Sequence, residues 1–175
     1  MEPITFRACT EEDRPHIIHF LESVKDDFPS IELKRQTIEE ITELLFLHGG
    51  VLAGYKQGTM MAMLGYFLGE PAQNYANKEV GFIYLTALAP SVRLTRFFLK
   101  GIIFSMKTLQ EMGVPEVRFH ASADDRYTNR LYARFAQFIG QENNRRGYPC
   151  NLYAADISTV LAILTKNKQA KMSIN

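Results

Sequence analysis

The sequence predicts an α/β protein with a sheet packed between helices, on three observations. Period-two apolar segments alternate with helical apolar stripes in the order strand, two helices, two hairpin strands, strand, helix, strand, helix, strand. Capping residues and glycines stand at the junctions between them. Residues 79–140 read as a strand turning sharply into a long helix, then a second strand and a second helix. A strand that feeds a helix N-terminus leaves first-turn N–H groups unpaired, which suits a phosphate. Here that turn is residues 93–98.

Residues 4–7 form a short strand with Ile4 and Phe6 on one face. Thr10 and Asp13 match a helix-start pair, and Pro15 falls early in the helix, where a missing N–H costs little. Ile17, Phe20 or Leu21, Val24 and Phe28 make its core stripe, with Pro29 as the breaker. Thr37 and Glu40 repeat the capping pattern before a second helix, whose stripe is Ile38, Ile41, Leu44, Leu45 and Leu47. His48-Gly49-Gly50 stops it. Residues 51–55 and 60–67 read as antiparallel strands around a tight turn at 56–59, the second nearly all apolar, as in a strand covered on both faces.

Residues 69–78 form a polar loop, and 80–88 the next strand. The helix at about 95–112 places Phe98, Ile102, Met106 and Leu109 on its core face, and Gly113 caps it. Residues 117–121 are a strand. A helix opening at 122–125 turns Leu131, Phe135 and Phe138 inward and closes at Gly140. Residues 141–156 hold a weak strand and a better one at 151–155, followed by a short helix at 157–164 and a frayed polar tail.

The 175 residues suit one domain, with a core over about 3–156 and a C-terminal helix and tail over 157–175. A net charge of +1 lacks the basic field that nucleic acid or anionic membrane would require. No apolar run approaches the roughly 18 residues of a membrane span. The N-terminus lacks a signal-peptide layout, so a cytoplasmic protein is expected. Cys9 and Cys150 are too few and too isolated for a disulfide framework or a zinc site. No nucleotide-binding or kinase motif is present. Arg145-Arg146 and the lysines of 166–171 read as solvated charge.

The element order and the motifs within it resemble the GNAT superfamily of acyl-CoA-dependent N-acyltransferases over about residues 3–156. The opening FRACTEEDRPHII is similar to the family's first strand and helix start. Leu88, Pro90, Arg93 and Gly113 stand at the family's separations, and Asn129 with Tyr132 fill its later motif. The resemblance implies a three-layer fold with a mixed, mostly antiparallel, splayed sheet flanked by helices. It also implies acetyl-CoA or another acyl-CoA as cofactor, a small-molecule or peptide amine as acceptor, and a homodimer as a common assembly.

The chain departs from the family at Arg96 and Phe98, where the pattern carries small turn residues that let backbone approach a diphosphate. The Arg96 side chain can itself pair with phosphate, and the Phe98 ring is expected to turn into the core. This departure supports an alternative reading, a catalytically silent module on the same fold.

The resemblance assigns cofactor contacts to Thr86, Leu88, Arg93, Leu94, Thr95, Arg96, Phe97, Phe98 and Asn129. Within these, the Leu88 N–H polarises the thioester carbonyl. Tyr132 is the acid that returns a proton to the thiolate, and Glu79 is the candidate base. His120, beside Arg118 and Ser122, reads as a structural strand histidine, and His16 and His19 as solvated or packing residues. The cysteines have no base beside them in the pattern and do not read as nucleophiles.

Overall fold

The computed structural model describes residues 4–28, 32–93 and 95–172. Seven strands form one sheet in the order β1-β2-β3-β4-β5-β7-β6. They are β1 (Ile4–Ala8), β2 (Gly49–Lys56), β3 (Thr59–Leu68), β4 (Val80–Leu88), β5 (Glu116–Ser122), β6 (Gln137–Asn143) and β7 (Pro149–Asp156). The helices are α1 (Arg14–Ser23), α2 (Arg35–His48), α3 (Arg96–Glu111), α4 (Arg126–Tyr132) and α5 (Ile157–Met172). Every neighbouring pair is antiparallel except β4–β5, which is parallel. The expected layered, mixed and mostly antiparallel sheet is therefore observed.

Strand alternation divides the core in two. Val51, Ala53, Met63, Phe67, Phe82 and Ala87 pack under α1 and α2, against Ile17, Leu21, Ile38 and Leu45. Leu52, Leu64, Val117, Phe119, Tyr153 and Ala155 pack under α3 and α5, against Met106, Leu109, Ile157 and Val160. Strand β3 contributes to both clusters, which accounts for its unbroken apolar sequence.

At the N-terminal edge, Thr10 and Asp13 form the expected capping box around a short 3-10 turn. Arg7 donates two hydrogen bonds to the Asp13 carboxylate, at 2.7 and 2.8 Å, tying β1 to α1. Gln57 and Gly58 turn the β2–β3 hairpin at φ of 51° and 77°, the left-handed pair of a tight hairpin turn.

Several expectations are corrected. Helix α2 begins at Arg35 with Lys34 as its N-cap, so Thr37 and Glu40 lie inside the helix. Leu47, expected in its stripe, is 69% exposed. Helix α4 stops at Tyr132, and Phe138 and Gly140 belong to β6, which pairs with β7. The spacing of Leu131, Phe135 and Phe138 imitates a helical face, yet Phe138 is 54% exposed. The final helix runs to Met172, past the short helix expected. Pro29, the expected breaker, lies outside the described residues. Among the described residues no helix is long and apolar enough to cross a membrane.

Candidate active site

Strands β4 and β5 pair only from Val80–Glu116 to Ile83–Phe119. Beyond that point both continue, β4 to Leu88 and β5 to Ser122, without pairing to each other. The sheet is split there into a slot. A β-bulge marks its start: Gly65 pairs with Leu85 and Tyr66 with Ile83, which leaves Tyr84 as the extra residue. The bulge places Tyr84 and Leu85 both on the α1/α2 side.

Backbone phase decides what the slot presents. The Ala89 N–H donates to the Met61 carbonyl at 2.8 Å, and polar groups in an antiparallel strand alternate between its two neighbours. Leu88 and Thr86 therefore turn their N–H and C=O groups away from β3 and toward the slot. Their side chains line a small apolar hollow beneath α3. The Leu88 N–H and the N–H and C=O of Thr86 are thus placed on the open edge of the sheet, while the Leu88 carbonyl is taken by Arg93.

The turn at the slot's mouth is largely self-satisfied. Arg93 donates to the Leu88 carbonyl at 3.1 and 3.3 Å and pairs with Asp27, so its guanidinium points back onto the protein. Thr95 is the N-cap of α3: its hydroxyl donates to the Val92 carbonyl at 2.6 Å and accepts from the Phe97 N–H at 3.2 Å. Arg96 is exposed. Phe97, not Phe98, begins the inward stripe. Phe97 is 4% exposed and packs 5.2 Å from the Phe6 ring, whereas Phe98 is 42% exposed. The expectation of an inward Phe98 is corrected: one residue is 100° of rotation on a helix, and the core lies one step earlier. Leu94 lies outside the described residues.

On the α3/α5 side, Tyr132 packs edge-on against Phe119 at 4.5 Å and against Phe135 and Tyr153. Burial, and secondarily the charge of Asp125, pushes its phenol above the ordinary tyrosine value, so it holds its proton at neutral pH. Asn129 is fully committed. Its amide donates to the carbonyls of Ser122 and Asp125 at 2.8 and 2.7 Å, and its oxygen accepts from Asn151 at 2.7 Å and from the Tyr153 hydroxyl at 2.8 Å. It clips α4 to the ends of β5 and β7, one turn before Tyr132. Glu79 is not brought to the site. It precedes β4 at the opposite end of the strand, about 30 Å from Leu88 at roughly 3.3 Å per residue.

On the α1/α2 side, a cleft of about 750 Å³ opens onto the same slot. Phe82 and Tyr84 of β4, His120 and Ser122 of β5, Glu142 of β6 and Glu40 of α2 line it. Arg145 and Arg146 reach it from the β6–β7 turn, and Arg146 pairs with Glu32 at 3.2 Å, joining that turn to the segment before α2. His120 and Glu142 meet across the sheet at 2.5 Å. Sequence reasoning passed over this pair. The signal for His120 was its alternation with Val117, Phe119 and Ala121, which places it on the other face of the sheet from them. Glu142 gave none, because residues 137–140 fit the end of a helix and 141–156 show only a weak strand before 151.

The architecture matches solved acetyltransferase structures. A GNAT-family chain from Desulfovibrio desulfuricans is 16% identical with a TM-score of 0.67, aligned over 89% of this chain and 99% of that one. The ribosomal-protein-S18-alanine N-acetyltransferase of Escherichia coli is 12% identical with a TM-score of 0.65, over 89% and 94%. A GNAT-family acetyltransferase from Streptococcus pneumoniae is 12% identical with a TM-score of 0.63, over 88% and 99%. The chain has the GNAT N-acyltransferase fold. No family model and no curated protein matches the sequence.

Proposed function

We propose that this chain is an acyl-CoA-dependent N-acyltransferase, most simply an acetyltransferase acting on a small-molecule or peptide amine. The observation that carries the reading is the slot: two strands part at a bulge, and the backbone polar groups of Leu88 and Thr86 face into the opening. That edge fits an extended pantetheine arm, which can add to it as a strand would. When bound, acyl-CoA supplies the activated acyl group.

Leu88 would polarise the acyl carbonyl through its N–H, a contribution that grows as charge develops on oxygen. Tyr132, buried and protonated, would donate to the departing sulfur. Around the diphosphate, the first-turn amides of α3 other than that of Phe97, which the Thr95 hydroxyl takes, and the exposed Arg96 are the available donors. The cleft on the other side of the sheet would hold the amine.

A second reading, a silent binding module on the same fold, is favoured by the turn itself. Phe98 stands half-exposed where a small residue would open the backbone, and Arg93 is engaged with Asp27. Isothermal titration of the full chain with acetyl-CoA and CoA separates the two. Saturable binding of both is expected, and no heat at millimolar ligand would refute the enzyme. In the enzyme reading, Tyr132→Phe lowers kcat about tenfold to a hundredfold with acetyl-CoA affinity unchanged.

A further inference from the structure

We propose that His120, oriented by Glu142, is the base that takes the proton from the acceptor amine, and that the acceptor is an aliphatic primary amine arriving as its ammonium cation. This rests on the acyltransferase reading above and replaces the expected base, Glu79, which the fold carries to the far end of β4.

Position is the first argument. Parallel pairing ends at Ile83 and Phe119, so His120 is the residue of β5 where the slot begins. Its side chain leaves the sheet on the α1/α2 side and lines the cleft together with Tyr84 of the bulge. Tyr132 packs with Phe119 on the opposite side. Base and acid therefore lie on opposite faces of the sheet, one on the amine side and one on the thiol side.

Orientation is the second. His120 Nε2 lies 2.5 Å from Glu142 Oε1, and its ring meets Phe82 edge-on at 5.0 Å. A carboxylate accepts only, so Nε2 carries the hydrogen, and Nδ1 is the nitrogen through which the neutral ring can take a proton. Among the described residues no hydrogen bond occupies Nδ1. Glu142 also stabilises the imidazolium that forms on proton transfer.

The cleft also holds a thiol, a phenol and further charged groups. Cys150 of β7 is a thiol that burial keeps protonated, and Tyr84 of β4 is a phenol that burial likewise holds protonated against the opposing charge of Arg145. Arg118, beside His120 on β5, is paired with Glu70 and Glu116. Glu40 of α2 adds a second carboxylate to the cleft and Tyr84 an aromatic ring, while of the two arginines that line it Arg146 is paired with Glu32 and Arg145 lies beside Tyr84.

An aliphatic ammonium must lose a proton before its nitrogen can attack. One proton passes to Nδ1 and on to solvent. As the C–N bond forms and the C–S bond breaks with its electron pair on sulfur, Tyr132 gives its proton to sulfur, which ends as a thiol, and the second proton leaving nitrogen passes to solvent, from which Tyr132 is reprotonated.

The test measures thiol release from acetyl-CoA by the full chain, with n-butylamine, spermidine and a lysine-containing peptide, from pH 6 to about pH 10, the range over which amines deprotonate. His120→Gln should lower kcat/KM at neutral pH at least tenfold with acetyl-CoA affinity intact. The deficit should close as the amine deprotonates unaided at high pH. Glu142→Gln should fall in kcat rather than KM, with partial recovery in Glu142→Asp. If His120→Gln does not fold, His120→Asn makes the same comparison. A His120 variant that follows the unsubstituted chain at every pH overturns the inference and leaves the acyltransferase reading standing. Acetyl-CoA binding without thiol release from any of the three amines overturns the proposed acceptor class. Failure of the unsubstituted chain to bind acetyl-CoA overturns the acyltransferase reading itself.

Discussion

At the scale of single residues, Asp13 has a measurable part in stability. It accepts two bonds from Arg7 and one from the Thr10 N–H at 2.8 Å. Arg7 first, then Thr10, holds its carboxyl well below the ordinary value of 3.8. A carboxylate depressed in the folded state contributes stability above its unfolded pKa and loses it as the pH falls. Asp13→Asn should cost about 1.5 kcal/mol at pH 7, the order expected for charge-assisted bonds to a half-exposed arginine. Urea unfolding at pH 7 and at pH 3 checks this, since the gap between the two proteins should narrow at the lower pH. The Thr10–Asp13 pair was legible in the sequence because capping is local. Its partner Arg7 was not, because nothing in the spacing says that β1 ends beside α1.

At the scale of elements, the junction of α2 and β2 depends on Gly49. A Cβ there would lie 1.9 Å from the Tyr66 carbonyl oxygen and 2.7 Å from the Phe67 Cα, both backbone atoms with little room to move. Gly49→Ala should therefore destabilise by about 3 kcal/mol, seen as a fall in the thermal midpoint of several degrees by circular dichroism. The sequence marked this glycine as a helix stop, and α2 does end at His48. Its second role, against a strand it meets only after the hairpin, needed the tertiary contact. The error at 126–140 has the opposite origin. Apolar residues three and four apart satisfy a helical template, but residues 137–143 complete the sheet as partners of β7. Backbone pairing prevailed over a local pattern.

At the scale of the whole molecule, the two sides of the sheet divide the work. The α3/α5 side holds Tyr132 and the N-terminus of α3, the α1/α2 side holds the cleft, and the slot lies where β4 and β5 part. If the exposed Phe98 ring is what limits backbone approach at the turn, Phe98→Gly should tighten CoA binding. An improvement of roughly tenfold, about 1.4 kcal/mol, is the expected size in a calorimetric titration. Its absence would place the diphosphate on side chains such as Arg96 instead. Phe97 continues to anchor α3 in either case, because its ring belongs to the core.

The sequence alone determined the order of elements as far as α4, the hairpin turn, the Thr10–Asp13 capping box, the glycine after α3, and the spacing of Leu88, Pro90 and Arg93. These are set by interactions within a few residues or by a periodicity that one helix or strand displays by itself. Tertiary structure decided the rest. It determined that Phe97 rather than Phe98 faces inward, that Arg93 folds back on Asp27, and that Asn129 serves as a clip. It also brought His120 and Glu142, 22 residues apart, within 2.5 Å. Each of these depends on which strands become neighbours and where pairing between them stops. No local stretch of the chain contains that information, and the parting of β4 from β5 is settled only when the whole sheet is assembled.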